Sequence, residues 1–171
     1  MNSSNEEQGG LTETDKRENV IRLAFRGNKA EYDAFCHAVE EVVPPGTTGI
    51  LRGSAVTGSR WKDGAPFDAD GPGTSDLDLT LVGDAPLAFF KATGFYVPGV
   101  HSRPLCDKDP DIAPDLVPLR NRLMDLVHRP VNIQASRELV IEFRGDLLGQ
   151  PYLVLFEKPE GTLLSDVRPS A

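Results

Sequence analysis

A chain of 171 residues is long enough to bury one well-formed core, so a single domain with short appendages is expected. With 39% apolar and 26% charged residues and no apolar run near the ~20 residues that span a bilayer, the composition excludes an α-helical membrane protein. The net charge of −8 excludes an extended, sequence-independent grip on a nucleic-acid backbone, which depends on Lys and Arg displacing counterions.

Residues 1–15, MNSSNEEQGGLTETD, lack the basic start and apolar middle of a signal peptide; they read as a flexible tail, and a cytoplasmic location is expected. From Lys16 to Val43, apolar residues recur every three or four positions, which predicts two helices broken near Gly27. VVPPGTTG stops the second helix, and Gly49–Ser54 reads as a short strand ending in Gly-Ser. One or two helical turns over Ala55–Trp61 precede a long loop, DGAPFDADGPGTS, and then a strand over Asp76–Val82. Ala85–Thr93 reads as a short helix with Asp84 as its N-cap. Gly94–Pro114, rich in Pro, Gly and acids, reads as an irregular insertion, followed by a helix over Leu116–His128.

Val131–Ala135 alternates and predicts a strand. RELVIEFRGDLLGQ fits a helix capped by Ser136, although LVIEF alone also fits a buried strand; helix is the favoured reading. Tyr152–Glu157 is a last strand, and residues 159–171 read as a flexible C-terminal tail. The expected fold is therefore α/β (α+β), a small mixed sheet of about four strands flanked by helices, in one domain over residues 16–158 with its core at 49–135. Cys36 and Cys106 belong to no cluster of zinc spacing and read as free thiols.

The strand SDLDLTL carries the most chemistry. In an extended chain Asp76, Asp78 and Thr80 share one face, while Leu77, Leu79 and Leu81 share the other. Two carboxylates side by side repel each other unless water, a basic group or a divalent cation lies between them. A calcium loop around DADGPG fails the EF-hand pattern, because setting Gly71 at the sixth position puts Pro66 first and Leu77 twelfth. A solvated strand without function and a magnesium site are the two readings left.

Upstream, a strand ends in Gly53-Ser54 at the start of a helix, with Gly58 four residues after Ser54. Glycine lets a backbone approach an anion, serine adds a hydroxyl, and helix-start amides point at negative charge. Arg52, Arg60 and Lys62 supply local positive charge able to meet the phosphates of a small nucleotide despite the acidic total. The order GSxxxG, then SDLDL on the next strand, then a third strand closing the sheet resembles the nucleotidyltransferase fold of the DNA polymerase beta superfamily, in its minimal single-domain form, over about Gly49 to Ala135.

That resemblance implies that Gly53 and Ser54, with Arg60, contact the phosphates of a nucleoside triphosphate, and that Asp76 and Asp78 bind one or two Mg2+ ions as the catalytic carboxylates. It implies transfer of a nucleotidyl group to an acceptor hydroxyl on a small molecule, a protein or an RNA end. The family places a third carboxylate on the third strand, where this chain has Asn132 and, two residues on, Gln134. An amide supplies neither negative charge nor a proton acceptor. If LVIEF were the third strand, Glu142 would be the missing acid; Asp125, Asp146 and His128 have no motif behind them. The leading expectation is a magnesium-dependent nucleotidyltransferase, and the alternative is a catalytically silent module of the same fold that binds a nucleotide or a protein partner.

Overall fold

The structure is a computed structural model that describes residues 10–161; the outer parts of both expected tails, 1–9 and 162–171, lie outside the described residues. In chain order the elements are α1 (Glu13–Ala24), α2 (Lys29–Val42), β1 (Thr47–Arg52), α3 (Ser54–Thr57), β2 (Leu77–Val82), β3 (Phe95–Val97), β4 (His101–Ser102), α4 (Val117–Val127), β5 (Val131–Ser136), α5 (Glu138–Asp146) and β6 (Tyr152–Lys158). They make a mixed α/β fold whose sheet runs β3-β4-β5-β2-β1-β6. Only β2 and β5 run parallel; β1 is antiparallel to both β2 and β6. Among the described residues no helix is long and apolar enough to cross a membrane.

The sheet has six strands rather than the expected four, because Gly94–Pro114 is not wholly irregular. It contains the hairpin β3–β4, whose strands of three and two residues are too short to show alternation. Backbone bonds in both directions between Leu105 and Ile133 fasten the same segment to β5. Arg120, buried on α4, adds a bond from Nε to the Val131 carbonyl at 2.7 Å and another from Nη2 to Asp107 at 2.9 Å.

Other boundaries differ for local reasons. Helix α1 begins at Glu13 rather than Lys16, because Thr12 and Asp15 form a reciprocal capping box. The expected helix over Ala85–Thr93 is a 3-10 helix, Ala85–Phe89, followed by a second 3-10 turn, Ala92–Gly94. Asp84 does not cap it, and its carboxylate instead accepts from Arg137 at 2.7 Å. RELVIEFRGD is helical, as favoured, with Arg137 rather than Ser136 at the N-cap; Ser136 ends β5 and bonds His101 at 3.0 Å.

The alternation along β2 divides the molecule into two layers. Leu77, Leu79 and Leu81 are buried with Leu51, Val131, Ile133 and Ala135 against the apolar residues of α1, α2 and α4, including Val20, Phe35 and Leu123. The opposite face is also covered, but only in part: Ile50 and Val82 pack with Ile141 of α5. Thr80 is therefore fully buried, and the face holding Asp78 opens only at the end of β2 nearest Asp76.

The long loop between α3 and β2 is an ordered structure folded around one ion pair. Asp68, at φ 58°, accepts from Arg129 at 2.8 and 3.1 Å and from the Ser75 and Gly73 amides at 2.9 and 3.1 Å. Arg129 lies over the Phe67 ring and also donates to the Ser75 carbonyl, so the clamp fixes the residue preceding Asp76. The bond from the Arg129 guanidinium, helped by the two amides, holds the Asp68 carboxyl down at about 2. A carboxylate with a lowered folded pKa stabilises fully above the usual carboxylate range and loses that contribution as pH falls toward its folded value. Asp68→Asn is expected to lower the unfolding free energy by about 2–3 kcal/mol at pH 7. In urea titrations across pH, the gap from the parent should shrink between about pH 4 and pH 2.

Candidate acidic site and the two clefts beside it

Strand register brings the candidate residues together. Asp78 of β2 stands opposite Arg52 of β1 on one side and opposite Asn132 of β5 on the other. Asn132 donates its amide NH2 to Asp76 Oδ2 at 3.0 Å and to Asp78 Oδ1 at 3.2 Å, joining the two carboxylates. The Arg52 guanidinium donates to Gln134 Oε1 at 3.0 Å, holding the next outward residue of β5.

The two acids differ in environment, Asp76 being exposed and Asp78 partly shielded. Burial pushes the Asp78 carboxyl up from its ordinary value; the Asn132 bond and the Arg52 charge oppose that rise, and the Asp76 charge adds to it. Burial and the nearby Arg144 charge bring Arg52 down to about 10, with Asp78 pulling the other way.

Gly53 leaves β1 at φ 85° and ψ −159°, a conformation open to glycine alone, and starts the single turn of α3. Its missing side chain matters twice, since a Cβ there would also stand 2.9 Å from Asp78 Oδ2. Gly58, at φ 85°, closes that turn through its amide to the Ser54 carbonyl at 2.8 Å, and its carbonyl receives the Phe67 amide.

Gly53, Ser54, Asp76 and Asp78 line an open cleft of about 400 Å³ whose far wall is the loop carrying Arg60, Trp61 and Lys62. Arg60 is held there by Asp70 at 3.1 Å and Asp63 at 3.7 Å. Both acids of DADGPG thus serve internal ion pairs, Asp68 with Arg129 and Asp70 with Arg60. Arg52 is not with Arg60 and Lys62 in this cleft; it lines a second one, of about 210 Å³, with Arg144, that shares Gly53, Trp61 and Asp78.

Glu142 is not brought to the acidic pair. It is exposed on α5 and lines a third depression with Glu138, Ile141 and Tyr152. Asp125 and Asp146 are exposed on α4 and at the end of α5. His128 is the left-handed C-cap of α4. The two cysteines are free, and burial pushes the Cys36 thiol up to about 11. Sequence reasoning missed Asp68, Arg129 and Arg144, which belong to no local pattern.

Among the described residues no group of three or more His, Cys, Asp or Glu side chains is placed to hold a metal ion. Asp76 and Asp78 reach a third donor only through Asn132. Turned about its last bond, that amide would present its carbonyl, and the set becomes oxygens alone, the hard ligands magnesium takes. The donor chemistry therefore fits the ion, with the amide nitrogen bridging the carboxylates in its place. Comparison with known proteins finds no matching family model, no matching curated protein and no matching solved structure.

Gly53→Ala is expected to destabilise the fold by about 1–3 kcal/mol through backbone strain. The added Cβ also displaces the Asp78 carboxylate, so chemical denaturation should show the loss, and the Asn132 side-chain NH2 signals should shift in NMR spectra.

Proposed function

We propose that the protein transfers a nucleotidyl group from a nucleoside triphosphate to an acceptor hydroxyl, with Asp76 and Asp78 holding one or two Mg2+ ions. The observation that carries this reading is the meeting of a glycine-serine turn and two carboxylates at one cleft, the carboxylates being joined by Asn132. The connection of β1 through Gly53-Ser54 to α3, with Asp78 on the antiparallel neighbour β2, Asp76 just ahead of that strand, and the third position on β5, the parallel neighbour of β2, supports the likeness to the nucleotidyltransferase fold.

On this reading Gly53 allows close approach of the triphosphate, Ser54 offers its hydroxyl, and Arg60 and Lys62 face the phosphates from the loop. The acceptor oxygen forms a bond to the α-phosphorus, and the bond from that phosphorus to the bridging oxygen breaks. Pyrophosphate leaves with the electron pair, and the hydroxyl proton passes to water, because Asn132 cannot accept it. Bound magnesium supplies charge that polarises the α-phosphate and stabilises the pyrophosphate. Asn132 orients both carboxylates through its two bonds.

The same two bonds favour a second reading. A neutral amide already satisfying both acids is what a silent member that binds a nucleotide or a protein partner would retain. Replacing Asp76 and Asp78 together with Asn should abolish the magnesium-dependent rise in melting temperature that nucleoside triphosphates give the parent, with the fold intact. A double variant stabilised as well as the parent would remove the site from consideration.

Asn132→Asp separates the two readings. In metal-free buffer it sets a third carboxylate against two others and should lower the melting temperature, a loss that added Mg2+ reverses. Incubated with labelled nucleoside triphosphates, Mg2+ and a cell extract, it should label acceptors roughly a hundredfold faster than the parent, the scale of general-base assistance. Glu142→Gln, remote from the pair, should leave labelling unchanged.

A further inference from the structure

We infer that the second cleft beside Asp78 is an anion-binding subsite, and that the acceptor in the proposed reaction carries a phosphoryl or carboxylate group seated between Arg52 and Arg144. The statement about the acceptor rests on the nucleotidyl-transfer reading; the anion site itself does not.

The cleft, about 210 Å³, is lined by Arg52, Gly53, Trp61, Asp78, Arg144 and Gln150, among others. Arg52 reaches it from the last position of β1 and Arg144 from the last turn of α5. Two guanidinium groups facing one small cleft repel each other, and burial of one of them deepens the cost. Among the described residues neither has a carboxylate within ion-pairing distance, whereas Arg60, Arg103, Arg120, Arg129 and Arg137 each hold one. Arg52 spends one nitrogen on Gln134.

A purely structural role for Arg52, balancing Asp78 from the neighbouring strand, leaves these features unexplained. It calls for no second arginine, and it would be served best by a direct bond to the carboxylate, yet the one bond Arg52 makes is to Gln134. An anion in the cleft accounts for both arginines, because a planar guanidinium donates in pairs to phosphate or carboxylate oxygens. Gly53, Trp61 and Asp78 line this cleft and the larger one alike. A molecule anchored by its anionic group at Arg52 and Arg144 thus presents a neighbouring hydroxyl at the edge where the two clefts meet. That is where the acceptor oxygen must approach the nucleotide.

The test is calorimetric titration of the metal-free protein with inorganic phosphate and, separately, with acetate. The parent should bind at least one of the two, and which of them binds more tightly tells whether the natural group is phosphoryl or carboxylate. Arg144→Gln should weaken binding at least tenfold, Arg144→Lys should restore part of it, and Asp76→Asn/Asp78→Asn should keep or strengthen it. Arg122→Gln, which lines neither cleft and pairs with Glu41 at the surface, should leave it unchanged. No binding of either anion at tens of millimolar, or a loss that follows Arg122 rather than Arg144, would overturn the site. For the acceptor, the same anion should inhibit labelling in extract competitively against acceptor and not against the triphosphate. If nothing is labelled while the calorimetric pattern holds, the transfer reading fails and the anion site stands. If labelling proceeds without inhibition by either anion, the acceptor assignment fails.

Discussion

Two carboxylates, Asp76 just ahead of β2 and Asp78 on it, joined by a single amide, are the tension to which the surrounding structure responds. Asp78 is the more shielded, and shielding favours its neutral form, with the nearby Asp76 charge pushing the same way. Opposing the repulsion are two bonds from Asn132 and the charge of Arg52 across the strand, which does not touch either acid. Both carboxylates line the open cleft, so negative charge they carry is directed into it. A small, hard cation is the partner that best answers such charge.

Holding that tension at one spot requires a backbone that cannot slide. Strand β2 lies between β1 and β5, and a shift of one residue against either would turn Asp78 into the leucine core. The leucines of β2 thus fix the acids: their burial sets the register, and the register sets the distance from Asp78 to Asn132. The approach to β2 is fixed separately. Arg129 sits just before β5, holds Asp68 in the loop and bonds the Ser75 carbonyl, so one side chain ties the third strand, the loop and the residue ahead of Asp76 together. Gly53 then lies so close to Asp78 that only a hydrogen fits between them.

What could be read in the sequence was what periodicity and local chemistry carry. Leu77, Leu79 and Leu81 announced the strand and its buried face, and 3.6-residue spacing announced α1, α2 and α4. Val131–Ala135 alternates clearly enough to read as a strand, but only the resemblance set Asn132 beside the acids, with Glu142 as the other candidate. The hairpin Phe95–Val97 with His101–Ser102 was hidden because so few residues show no period, and its order comes from long-range bonds to β5. The same limit hid Asp68 with Arg129, 61 residues apart, and Arg52 beside Arg144, on elements that only the folded sheet and α5 bring together. Arg52 looked like a companion of Arg60 and Lys62 because it is near them in sequence; strand alternation and the turn at Gly53 send it to the other side of Asp78. Asp84 and Ser136 looked like caps for the same local reason, but each found a more distant partner.

The identity of residue 132 sets how strongly the site asks for a cation. A third acid there would leave the metal-free fold with three crowded charges, making occupancy by an ion close to a condition of stability. Asn132 instead gives the metal-free state two hydrogen bonds. An ion entering the site must displace those bonds or turn the amide, and gains one fewer negative ligand in return, so its binding is weaker and more readily reversed than at a triad of acids. On the proposed reading, the triphosphate supplies the negative oxygens the protein omits, and metal and nucleotide bind best as a pair. On that same reading the site discriminates against metal without nucleotide, and does so through one neutral side chain at the centre of the sheet.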